Sequence, residues 1–376
     1  MEFNLATLEA AAASFYAGAD ARSRAEAEQY LAQLNASSAP WAFCQHVLDA
    51  SRSEYAHFAA VSAMRASAIR VRFSPGDASS RQLREYLCSF VVGRHASLAR
   101  GVQNLIWALV AVLFKMEFTA EADCMDSVLV PIRDMLSSGS ECKELCMSLI
   151  FAMISEFSAR SASALGLSWE QQVGIHRKFE RGALQPIFIM LVQTLQSSIG
   201  PDTRGSASLI GKCLANLVSV LDWEFDETIA SNKLSWASID RTSSIAMSAS
   251  STARPGSAWT ALLVASDLVE FMSSVQARLE PSDQNSASLT RRCLIQLASI
   301  QGSVFPDTGS KCRYLVRLLA GTTLDQQTFR SFVTSIFNAQ FLRFDSFCHR
   351  NHLCGRGVGI GRHFKSRHFP VPANST

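Results

Sequence analysis

From near the N-terminus to about residue 340, apolar residues recur every three or four positions, the spacing that gives a helix one buried face. Over 53–73 this period puts Tyr55, Phe58, Ala59, Ser62, Ala66 and Ile69 on one predicted stripe. Cys142, Leu145, Cys146, Leu149 and Met153 form a second. Leu209, Cys213, Leu217 and Leu221 form a third, and Leu289, Cys293, Leu297 and Ile300 a fourth. Asp20 is placed to cap a helix over 21–34. Ser38 is placed to cap the next, with Pro40 in a first turn where a missing N–H costs nothing.

Short turns join these predicted helices in pairs: 5–16 with 20–34, 40–51 with 53–72, 79–92 with 97–117, and 123–137 with 141–158. A less regular group follows at 168–181, 184–198 and 207–222. Then come 258–279 with 286–301 and 309–320 with 325–339. Pair-to-pair spacing of roughly 35–45 residues in the first half is that of HEAT repeats. One pair cannot bury its stripe alone, whereas stacked pairs share a continuous core. The pattern predicts an all-α fold, a HEAT-repeat superhelix (α-solenoid) of antiparallel helix pairs.

Two stretches break the period. Residues 231–257 are Ser-rich with a Pro-Gly turn and read as an insert, disordered around 248–257. Residues 341–376 are rich in Arg, His, Gly and Phe and carry no stripe. The expected organisation is 1–160, 161–340 with the insert near 231–257, and a disordered or non-native tail over 341–376.

Composition narrows the function. Hydrophobic residues make up 48% of the chain, enough to bury a sizeable core. The net charge of +3 is uneven: 341–376 hold six basic residues against Asp345 alone, which leaves the first 340 residues at −2. That near-neutral body has no basic face of the kind that binds DNA. The ten cysteines include Cys88, Cys146, Cys213 and Cys293 inside apolar helices, where a reduced thiol packs as a small hydrophobe. The apolar run Leu105–Phe114 is too short to cross a bilayer and reads as a helix buried between neighbours. The N-terminus lacks a basic segment followed by an apolar core, so neither a signal peptide nor membrane insertion is expected.

Candidate chemistry is sparse. Cys348, His349, His352 and Cys354 match no zinc spacing, and no metal is assigned to them. The run Gly355-Arg356-Gly357-Val358-Gly359-Ile360-Gly361 lacks the strand and helix that make a phosphate-cradling loop, so no cofactor is assigned either. No catalytic grouping has a defensible context, and an enzyme is not expected. Trp41, Trp107, Trp223, Trp236 and Trp259 are read as packing anchors.

Residues 24–72 carry an Ala27-Glu28 pair followed by Leu31, a loop, and an apolar helix with Trp41 and Phe43. An alanine-rich helix with Phe58, Ala59, Ala60 and Met64-Arg65 comes next, and Phe73 follows. This resembles the N-terminal domain of the importin-β family of nuclear transport receptors. Downstream, Ser155-Glu156-Phe157-Ser158, Gly166-Leu167-Ser168, Ser257-Ala258-Trp259, Gln296-Leu297-Ala298-Ser299, Phe305-Pro306-Asp307 and Gly309-Ser310 resemble an exportin branch of that family. The resemblance spans about 24–340, and the tail departs from it.

The resemblance implies a receptor shuttling between nucleus and cytoplasm through the pore, here with only the first few repeats. Its implied partners are Ran-GTP, Phe-Gly nucleoporins, and protein cargo such as the hypusine-bearing translation factor and Smad proteins. In this family Ran lies on the inner, second helices, here 53–72, 97–117 and 141–158. Glu54, Arg65 and Arg72 are the candidate Ran contacts. The alternative reading is a HEAT-repeat interaction scaffold unrelated to transport.

Overall fold

The computed structural model describes residues 3–18, 20–71, 78–120, 125–160, 164–200, 206–229 and 253–321. Its helices are α1 (Leu5–Tyr16), α2 (Ala21–Ala36), α3 (Trp41–Ala50), α4 (Glu54–Val71) and α5 (Ala78–Arg94). Then come α6 (Arg100–Ala120), α7 (Met125–Ser137), α8 (Ser140–Phe157), α9 (Trp169–Phe179) and α10 (Gln185–Ser198). The last are α11 (Ala207–Leu221), α12 (Thr260–Leu263), α13 (Leu268–Leu279), α14 (Gln284–Ser299) and α15 (Thr308–Gly321). No strand occurs among the described residues.

Packing follows a repeat. The hairpins are α1 with α2, α3 with α4, α5 with α6, α7 with α8, α10 with α11, and α13 with α14. The second helix of each hairpin also packs on the second helix of the next, so α2, α4, α6, α8, α11 and α14 form one unbroken row. This is an all-α, HEAT-like solenoid, and the first four hairpins are those the periodicity predicts. Helix α6 is longer than the apolar run within it, and by length and composition it would cross a membrane. It is instead a core helix, packed against α4, α5 and α8, with 67% of its apolar window buried.

Several expectations change. The stripe predicted in 53–73 is largely the outward side of α4, with Tyr55 exposed and Phe58, Ser62, Ala66 and Ile69 only partly covered. The buried side is Ala56, Ala59, Ala60, Ala63, Met64, Ser67 and Ala68. Helix α4 meets α1, α2, α3 and α6, and small residues let that many helices approach closely. Helix α3 begins after Pro40 with no side-chain cap, and the Ser38 carbonyl instead accepts from Ser67 Oγ at 3.1 Å. Asp20 does cap α2, accepting from the N–H groups of Arg22 and Ser23.

The break expected between 181 and 184 is absent: α9 runs into α10 through a π-helical turn, Glu180–Leu184. Pro186 in the first turn of α10 cannot donate an i→i−4 bond, and a widened turn relieves the clash of its ring with the preceding turn. Gly182 in that turn is where Met125 of α7 packs, since a Cβ there would lie 2.3 Å from the Met125 sulfur. Beside it His176 stacks on Trp223 with ring centroids 4.2 Å apart. Glu180 is buried there and accepts from the Asp226 N–H at 3.0 Å.

The single helix expected over 258–279 is broken, with a 45° bend between 257–263 and α13. Ser266 Oγ donates to the Leu262 carbonyl and accepts from the Leu268 N–H, which diverts the main-chain ladder. Arg317 of α15 satisfies the freed carbonyls of Val264 and Ser266 at 2.9 and 2.7 Å, and grips Glu270 through two more bonds.

Residues 253–257, expected in a disordered stretch, are partly ordered: Ala253 is buried and its carbonyl accepts from the Gln301 N–H at 3.0 Å. The rest of the insert, the helix expected over 325–339, and the tail with its Cys/His and glycine clusters lie outside the described residues.

Candidate functional site

The row of second helices presents a continuous surface built from one helix per repeat. Glu54 stands exposed in the first turn of α4. Arg65 lies eleven residues on, about three turns and roughly 16 Å along the axis, so both leave the same side of α4. Arg65 is less open than its sequence suggested: it is half-buried, and its Nε is buried without a hydrogen-bond partner. Arg72 lies outside the described residues. Arg70 is committed to the fold, donating to the Asn35 and Ser37 carbonyls at the end of α2.

Farther along the row, α6, α8 and α11 enclose a cavity of about 430 Å³. Ala108, Ala152 and Ala215, one from each helix, leave the space, while Trp107 and Phe151 wall it. Phe151 is 50% exposed, so an aromatic ring faces solvent where α8 would otherwise be polar. Charges around the cavity are paired. Glu156 takes the ammonium of Lys115, and Glu144 accepts from Lys212 Nζ at 2.9 Å and Ser208 Oγ at 2.7 Å. Burial acts to raise the Glu144 pKa, but the bonds from Ser208 and Lys212 outweigh it and hold the carboxyl below its ordinary range. Burial lowers the pKa of Lys115, against the pull of Glu156.

Sequence reasoning missed this cavity because alanine carries no periodic signal of its own. One clue was available: Phe151 falls off the buried stripe of Leu145, Leu149 and Met153. A second cavity of about 310 Å³ opens between the first helices α10 and α13, lined by Phe188, Ile189, Val192, Leu262 and Phe271. The tryptophans read as anchors behave so where they are described: Trp107, Trp223 and Trp259 are buried and Trp41 packs partly against the core. Trp169, which the reading passed over, is 44% exposed, and Trp236 lies outside the described residues.

The buried cysteines pack as apolar groups. Burial pushes the thiols of Cys44 and Cys213 up to about 12 and that of the partly buried Cys88 to about 11, which disfavours the reactive thiolate form.

The sequence matches the family model described as Exportin-4 over residues 2–332. The chain belongs to the exportin-4 family. Exportin-4 family proteins are karyopherin-type nuclear transport receptors rather than enzymes, and receptors of this type bind Ran-GTP and cargo. The repeats of this exportin-4 family chain match that role, since a stacked row of helices offers an extended surface for wrapping a partner.

Proposed function

We propose that this chain carries the Ran-receiving end of a nuclear export receptor, with residues 24–160 binding Ran-GTP on the second helices α4, α6 and α8. Among the described residues, 164–200, 206–229 and 253–321 extend the solenoid. The observation that supports this reading is the unbroken second-helix row in a chain of the exportin-4 family. Glu54 and Arg65, on one side of α4, are the contacts favoured among the described residues.

Ran-GTP acts through differential affinity: it favours the cargo-binding form of the superhelix, and cargo raises Ran affinity by the same factor. Cargo of the hypusine-bearing translation factor and Smad classes is then carried from nucleus to cytoplasm and released when GTP is hydrolysed. The groove between α10 and α13 suits phenylalanines of Phe-Gly nucleoporins, being apolar, lined by Phe188 and Phe271, and open at Ile189. Pull-down of Ran loaded with a GTP analogue or with GDP tests the reading. Preference for the GTP form supports it, and equal capture of both forms overturns it.

A further inference from the structure

The π-helical turn between α9 and α10 holds a buried carboxyl group without a counter-ion. Glu180 is 7% exposed and accepts from the Asp226 N–H at 3.0 Å. The two arginines beside it in the chain both serve Asp226 instead: Arg177 Nε bonds Asp226 Oδ1 at 2.5 Å and Arg181 Nη2 bonds Asp226 Oδ2 at 3.3 Å. Among the described residues no cation pairs with Glu180 itself. A buried carboxylate set beside a second carboxylate is disfavoured, and carrying a proton removes that cost.

The other charged groups of this junction are engaged elsewhere. Glu224 takes Arg160 and Ser158 Oγ. His176 turns both ring nitrogens to the carbonyls of Phe157 and Glu224, and burial lowers its pKa, so it is no counter-ion near neutrality. Lys178 is exposed. Helix α7 meets the turn through Met125 at Gly182, and α10 carries no ionisable residue.

We propose that this junction is a proton-operated clasp: protonated Glu180 keeps the 222–226 segment fastened to the π-turn, and ionised Glu180 repels Asp226 and parts the two. Arg181 makes the release possible. Its side chain is 74% exposed and its bond to Asp226 is the longer of the two, so it can swing to the Glu180 carboxylate as the segment leaves. Burial is the main cause that raises the Glu180 pKa to about 7; the Asp226 charge adds to it, while the Asp226 N–H bond and Arg181 oppose it. Once parted, the carboxyl regains its ordinary value of 4.5, so the open form gains on the closed one as pH rises from there to about 7 and levels off beyond. The clasp ties the start of α10 to the end of α11, and through Glu224 and His176 to the end of α8. Its state therefore sets how firmly the α10–α11 hairpin is held on the hairpin before it, with no need of Ran or cargo.

Hydrogen exchange in the full chain, corrected for the intrinsic pH dependence of exchange, tests the clasp. Peptides covering 179–185 and 222–228 are compared with 105–114 in α6. Protection of the first two is expected to fall at least about tenfold from pH 5 to pH 7, while that of the α6 peptide holds. Glu180→Gln has no titrating group and is expected to show no such step. Asp226→Asn returns Arg177 and Arg181 to Glu180 and is expected to flatten the step as well, which burial of a glutamate alone would not do. Either variant decides the matter if the other does not fold. A flat wild-type junction overturns the proposal. So does a step that persists in either folded variant, or an equal fall in the α6 peptide, which would mark global unfolding.

Discussion

Lys115 of α6 donates from Nζ both to the main-chain carbonyl of Glu156 at 2.7 Å and to its carboxylate at 2.9 Å, with the lysine side chain fully buried. The pair rivets two neighbouring second helices at a point where α6 is otherwise apolar. Coulomb attraction inside the protein roughly offsets the desolvation of both ions, so such a pair adds little net stability while it is intact.

Breaking it is another matter. Glu156→Ala leaves the buried ammonium with one carbonyl and is expected to cost about 3–5 kcal/mol in chemical denaturation. Lys115→Met combined with Glu156→Leu should cost much less than Glu156→Ala alone. A double variant no more stable than the single one would show that the ion pair itself holds α6 on α8.

Leu149 is fully buried mid-way along α8, a helix packed against α6, α7 and α11. Leu149→Asp places an unpaired carboxylate there and should destabilise the stack by several kcal/mol, or unfold it. Wild-type melting in that variant would mean α8 is not packed as described.

Glu180 gives a pH signature. Burial raises its pKa to about 7, above an ordinary value of 4.5. A carboxyl whose folded pKa is raised contributes stability that is complete below the unfolded pKa and is lost as pH rises through the folded one. The loss therefore runs from about pH 4.5 to above pH 7, and amounts to roughly 3 kcal/mol for a shift of this size. Glu180→Gln keeps an acceptor for the Asp226 N–H without a titrating group. Its stability relative to wild type should rise across that window in urea denaturation. A difference independent of pH would rule out a raised Glu180.

Arg65→Glu reverses one charge on the side of α4 that carries Glu54 and should weaken capture of Ran-GTP by more than any loss of stability from its half-buried position accounts for. Glu54→Lys should act in the same direction. The measurement is the same nucleotide-dependent pull-down, run beside a thermal melt. Capture unchanged in both variants would move the Ran contact off α4.

The hairpins of the first half were legible because each depends on local signals. Asp20 caps α2 by reaching N–H groups two and three residues ahead, and the stripes through Leu149, Leu217 and Leu297 need only the helical period. The outward side of α4 was misread for the same reason. Periodicity counts large apolar residues, whereas a helix touched on four sides buries its alanines and leaves Tyr55 and Phe58 toward the surface.

By itself, then, the sequence determined the helical class, the pairing of neighbours and the family, all of which rest on residue types at short separation. Tertiary structure decided the rest. The π-turn before Pro186 keeps α9 and α10 joined, and Gly182 within it makes room for Met125, more than fifty residues earlier in the chain. The bend before α13 holds because Arg317, also some fifty residues away, takes up the carbonyls the bend sets free. The cavity exists only because three alanines from three helices come to one gap. Each of these depends on groups far apart in the chain meeting at distances where a hydrogen bond or a missing side chain has its effect, and no local pattern records such a meeting.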